Sequence, residues 1–126
     1  MRQLHGLVEF RQLDEWSGVI DVGTLLVPNS ELSALLIAHA ERHGRTKIPD
    51  DASVSFFERY DRVRSHVTGV MMLTYSDISE FVAENRQDAQ FGDLLKETLF
   101  DLLSELCDVL VGRFGNAHVR LLGYFD

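Results

Sequence analysis

The chain has 126 residues, 45% of them hydrophobic, with eight Phe residues and a formal net charge of -8. Those totals suit one compact soluble domain over residues 1–126 and argue against general disorder; twenty acidic against twelve basic side chains disfavour a nucleic-acid backbone or an anionic membrane as partner. No apolar run is long enough for a membrane span, Met1-Arg2-Gln3 does not begin an export signal, and Cys107, the single cysteine, permits no intrachain disulfide, so a cytoplasmic location is expected.

In chain order, Leu4 to Arg11 reads as a short strand or ordered arm carrying Leu7, Val8 and Phe10 and interrupted by Gly6. Leu13-Asp14-Glu15-Trp16 turns the chain into a β-prone run from Val19 to Val27, with Gly18 and Gly23 placed for a turn and a bulge. Pro28-Asn29-Ser30 ends that run and caps a helix over about Glu31 to His43, whose apolar side holds Leu32, Leu35, Leu36, Ile37 and Ala40. Gly44 suits a left-handed helix end, with Arg42, Arg45 and Lys47 beside the negative end of the helix field. Residues 44–52, polar and containing Pro49, read as an exposed connector.

Val54 to Val63, a turn at Ser65-His66, and Val67 to Tyr75 predict a pair of strands joined as a hairpin. Ser76 or Asp77 then caps a helix from Ile78 to Asn85, and Arg86 to Gln90 separates it from the longest element, Phe91 to Arg113. There Phe91, Leu95, Leu99, Leu102, Leu106 and Leu110 recur at helical spacing, Phe100, Leu103, Cys107 and Val111 widen the same apolar arc, and Glu97, Asp101, Glu105 and Asp108 lie on the opposite strip. His118 to Phe125 closes the chain as a strand. The expected fold is α+β: a largely antiparallel sheet of about four or five strands covered by two or three helices, one of them long and in the C-terminal half.

Two clusters bear on function. From Asp77 to Asp108 nine acidic residues face only Arg86 and Lys96, and Glu97, Asp101, Glu105 and Asp108 form the strip best suited to a protein partner with a basic surface. A solvated helix face has the same pattern. Arg59, Arg62 and Arg64, interleaved with Tyr60, offer positive charge that a second subunit can set against that strip, so a homodimer or heterocomplex is expected. His39 and His43, four apart, have metal-ligand spacing, but Leu32 and Leu36 share their face and no neighbouring carboxylate completes a set in sequence; no cofactor is expected. Cys107 reads as a small buried hydrophobe.

Gly69-Val70-Met71-Met72-Leu73 followed by Asp101, Glu105, Asp108 and Gly112 resembles the core of the CheC/CheX-type chemotaxis phosphatases. In that family a helical Glu and Asn act on the phosphoryl group of a phosphorylated response regulator. The resemblance implies Glu105 in the Glu place, Gly112 in the following Gly place and Asp108 in the Asn place, where an ionised carboxylate lacks the donor of an amide. The leading expectation is a small acidic, non-enzymatic interaction module or regulator, such as an inhibitor, immunity protein or complex subunit acting by stoichiometric binding. Phosphatase chemistry using Glu105 and Asp108 is the alternative.

Overall fold

Every residue of the strand Val119–Phe125 (β4) is buried, as only a strand covered on both sheet faces can be. In the computed structural model, which describes residues 3–88 and 90–126, β4 is an inner strand of a four-stranded antiparallel sheet. It pairs with Leu4–Gln12 (β1) on one side and Gly69–Thr74 (β3) on the other, and Glu15–Asp21 (β2) pairs with the far side of β1. Met1, Arg2 and Ala89 lie outside the described residues, and with them most of the start read as lacking an export signal and the middle of the 86–90 link.

Alternation along β4 builds two cores. Val119, Leu121 and Phe125 enter the larger one, while Leu122 and Tyr124 enter the smaller. The larger core is covered by the helices Val22–Leu25 (α1), Ser30–Arg42 (α2), Tyr75–Arg86 (α4), Gly92–Glu97 (α5) and Phe100–Phe114 (α6). Val54–Val63 (α3) covers the smaller core, together with Ile48 and Ala52 from the preceding loop. The α+β class is therefore as expected, with more helices than expected. Among the described residues no helix is long and apolar enough to cross a membrane.

Several elements fall where the residues placed them. Asn29 caps α2 through its side chain, which accepts from the Leu32 amide at 2.9 Å, and Gly44 takes a φ of 67° just after the helix. The start of α4 differs: its cap is Thr74, in a capping box with Asp77, rather than Ser76 or Asp77, and the helix begins at Tyr75 rather than Ile78. Gly6 pairs with Gly123 at a φ of 140°, and a Cβ there would lie 2.0 Å from the Leu122 carbonyl oxygen, so only glycine fits between β1 and β4.

Three expectations are corrected. The β-prone run 19–27 is instead the end of β2 followed by α1: Leu13 and Asp14 turn the chain at positive φ, β2 starts at Glu15, and Asp21 caps α1 through the Thr24 amide. The expected hairpin of 54–63 with 67–75 does not form, because 54–63 is helical. Ser53 caps it through the Phe56 amide, and Phe56, Tyr60 and Val63, at helical spacing, pack on the smaller core while Glu58 and Arg59 stay exposed. β3 pairs with β4 instead.

The long helix 91–113 is two helices. Leu99 adopts a left-handed conformation at φ 65°, and Thr98 donates its hydroxyl to the Leu94 carbonyl at 2.7 Å while its own carbonyl accepts from the Val27 amide. The break rotates the following helix, so Phe100, Leu103, Ser104 and Cys107 are buried, while Leu99 and Leu102 are each 37% exposed. Residues 44–52 are tied to the sheet at two points. The Arg45 carbonyl accepts from the Met72 amide on the outer edge of β3, and Asp51 reaches the sheet.

That anchoring completes a buried ion pair. Glu9 on β1 is fully buried and its two oxygens accept from Arg120 Nε at 2.8 Å and from the Ser53 amide at 2.7 Å. Arg120 also donates to Asp51 at 3.0 Å and lies 3.7 Å over the Trp16 ring, whose Nε1 donates to Asp51. Removing Glu9 leaves a desolvated guanidinium short of its inner partner, whereas Asp51 faces water. Glu9→Ala is expected to lower unfolding free energy by about 3–5 kcal/mol and Asp51→Ala by only about 1 kcal/mol, read by urea denaturation at unchanged m-value. Equal losses would assign the pairing to Asp51 instead.

Candidate functional site: an acidic groove between two helices

α4 and α6 lie together over the larger core because each buries one apolar stripe there. Ile78, Phe81 and Val82 from α4 meet Phe100, Leu103 and Cys107 from α6, with the Phe81 and Phe100 rings edge to face at 5.2 Å. Above that contact lies a groove, one half bounded by α4 and α6 and the other by α5 as well. Two adjoining cavities of about 400 and 460 Å³ form it, and both are lined by Arg86 and Glu105. Ser79, Ser104 and Asp108 line the first, and Asp93, Lys96 and Asp101 the second.

The expected acidic strip is therefore divided. Asp101, Glu105 and Asp108, at one-turn intervals on α6, converge on the groove, with Glu105 exposed over the junction of its two halves. Glu97 is exposed on α5 beyond the Leu99 break and lines neither cavity. Asp108 accepts a 2.5 Å hydrogen bond from the Tyr75 hydroxyl, and that bond pushes the phenol above its ordinary pKa. Beside the acidic stripe runs an apolar one: Leu102, half-buried Leu106 and Val109, the last 70% exposed.

Glu105 and Asp108, the two residues of the phosphatase alternative, thus share one half of the groove, and the Gly69–Leu73 stretch of that resemblance is edge strand β3 with Met71 and Leu73 in the core. The Arg59, Arg62 and Arg64 cluster lies on and just after α3, against the opposite face of the sheet. Arg59 pairs with Asp21, and Arg64 pairs with Asp61 at 3.0 Å and covers the Tyr60 ring.

His39 and His43 sit in the last turn of α2 and just after it, with ring centroids 4.3 Å apart. His39 is fully buried; burial first, and the neighbouring His43 second, hold its pKa below the ordinary value. Glu80 of α4 approaches both, the carboxylate that no neighbouring position in sequence supplies. Arg86, Tyr75 and Glu80 went unremarked in the sequence as site residues. The only signal for them is their helical phase on α4, which divides residues facing α6 from residues facing α2.

No family model matches the chain, and no curated protein or solved structure matches it either.

Cys107 lies beneath the groove on the buried side of α6. Burial, and then Asp108, push its thiol up to about 12, against about 8.5 for a free thiol. The folded chain therefore keeps this proton through the window in which the unfolded chain loses it, and the stability from this group is full below about pH 8.5 and falls as pH rises towards 12. Native protein at pH 8 is expected to resist a chromogenic thiol reagent and to react stoichiometrically once unfolded in urea. Rapid labelling of the native chain would show an accessible thiolate.

Proposed function

We propose that this chain is a stoichiometric protein-binding module, a regulator or inhibitor, that receives a basic segment of a partner protein in the groove between α4 and α6. The observation that carries this reading is the placement of Glu105: exposed over the junction of two adjoining cavities, with Asp101 and Asp108 one turn away on either side and the Leu102–Val109 stripe alongside. Lysine and arginine side chains match both parts of that surface, with their hydrocarbon stems on leucine and valine and their charged heads on the carboxylates. Apolar contact supplies most of the affinity and the carboxylates supply orientation and rate of encounter.

Arg86 and Lys96 set the limits of the groove. They leave it net acidic but place positive charge at defined points, so a partner segment of uniform basic character fits less well than one with an acidic or neutral residue opposite Arg86. Two of the three arginines that a second copy would bring to this face are already paired within their own chain, which supports a separate basic protein over a homodimer. A cytoplasmic setting belongs to the same reading, since the single thiol is buried and the chain has no second cysteine to oxidise.

The test is capture of a partner from the native cell, followed by titration calorimetry against the captured protein. Affinity is expected to fall with rising salt and to drop at least about tenfold, or about 1.4 kcal/mol, in the double variant Asp101→Asn, Glu105→Gln. Glu15→Gln with Glu58→Gln removes the same charge from β2 and α3, away from the groove, and is expected to leave affinity within about twofold. Unchanged binding in the groove variant would exclude the acidic surface as the contact. Turnover of a phosphorylated response regulator that is lost in Glu105→Gln would replace this reading by the phosphatase alternative.

A further inference from the structure

The seam between α2 and α4 carries chemistry that the groove does not use. α2 ends with His39 and Arg42, with His43 following, while Asp77, Glu80 and Glu84 line the facing flank of α4 at one-turn spacing. Asp77 is already committed: its carboxylate closes the α4 capping box and pairs with Arg45 at 2.8 Å. The other contacts are loose. His43 Nε2 is 3.7 Å from Glu80, His39 Nδ1 is 4.0 Å from Glu84, and Arg42 lies 3.5 Å from both Glu84 and His39 Nδ1, all beyond good hydrogen-bond distance. His39 Nε2 is buried without any hydrogen-bond partner. An orphaned buried polar nitrogen is unfavourable and calls for a reason.

We infer that His39, His43 and Glu80 form a divalent transition-metal site of the zinc class, with Glu84 as the acidic neighbour that orients His39. One ring nitrogen of each histidine and one Glu80 oxygen lie within 4.8 Å of one another. Tetrahedral coordination at about 2.0–2.1 Å places ligand atoms about 3.3 Å apart, so the set has to close by about 1.5 Å at most. The exposed side chains supply that movement: His43 is 34% and Glu80 48% exposed, whereas His39 is held by Phe81, whose ring meets it edge-on at 5.6 Å. Two imidazoles and one carboxylate select zinc-like ions over calcium or magnesium, which take oxygen ligands.

A ligating imidazole passes its other N–H to a carboxylate, and Glu84 is the group placed to receive it. Arg42 is 62% exposed, so its guanidinium has solvent to turn into. This site lies on a different flank of α4 from Ser79, Val82, Ala83 and Arg86, which line the groove, so it stands or falls independently of the proposed partner.

Zinc titrated against a competing chromogenic chelator, and the visible spectrum of the cobalt form, test the inference on the full chain. One ion per chain is expected, with a tetrahedral cobalt spectrum. Binding should be lost in both His43→Ala and Glu80→Gln, and weakened about ten- to a hundredfold in Glu84→Gln. His43 and Glu80 are exposed enough for both variants to fold, which metal-free thermal melts matching the parent would verify. Absence of saturable binding, or binding that survives either His43→Ala or Glu80→Gln in a folded variant, overturns the site.

Discussion

Burial of β4 on both faces is the constraint from which the rest of the architecture follows. A strand with Leu121 facing one way and Leu122 the other cannot rest on a single layer, so the chain has to supply two covers. The C-terminal helices and α2 form one, and α3 with its preceding loop forms the other. The strand also carries Arg120, a charge that burial would penalise heavily if it stood alone. Glu9 on the neighbouring strand, the Ser53 amide and Asp51 convert it into a tie between β1, β4 and the start of α3. The ion pair thus does positional work: it specifies which stretch of loop lies against the smaller core, a role for which buried charges are better suited than for raw stability.

With the sheet covered in this way, α4 becomes the element that links the two candidate sites. One stripe of the helix is buried in the larger core, a second faces α6 across the acidic groove, and a third faces α2 across the histidine seam. Three environments around a single helix explain its composition. Ile78, Phe81 and Val82 serve the core, Ser79, Ala83 and Arg86 the groove, and Asp77, Glu80 and Glu84 the seam. The capping box at Thr74 and Asp77 fixes where the helix starts and therefore the phase of all three stripes.

The class of fold, both ends of α2 and the final strand were legible because they depend on local chemistry: Asn29 and Gly44 around α2, and the nearly continuous apolar run of β4. The 54–63 stretch was misread because its aromatic and β-branched residues favour a strand, whereas the spacing of Phe56, Tyr60 and Val63 with a Ser53 cap favours a helix; tertiary packing decides such cases. Leu99 gave no warning at all. A leucine at positive φ is held by the Thr98 contacts to α5 and to Val27, and nothing in its own identity signals it. The acidic residues of the groove were legible as a stripe, though not the division that separates Glu97 from Asp101. The seam was half legible: the histidine pair shows in one helix, but its carboxylate arrives from another.

The groove also carries a repulsion that the free chain has to bear. Asp101 and Glu105 are one turn apart on α6, and Glu105 and Asp108 are three residues apart, so each pair destabilises the helix by about 0.2–0.5 kcal/mol at low salt. Asp108 has a donor in the Tyr75 hydroxyl and Asp101 one in the Leu102 amide, and neither is a cation that offsets the charge. Helix α6 therefore owes its stability to the apolar stripe beneath the groove, and its acidic stripe opposes that gain. A cation arriving between α4 and α6 relieves this opposition without moving the core side chains. The binding reading accordingly requires no rearrangement of the fold, because the groove is already open and the unfavourable field is already in place.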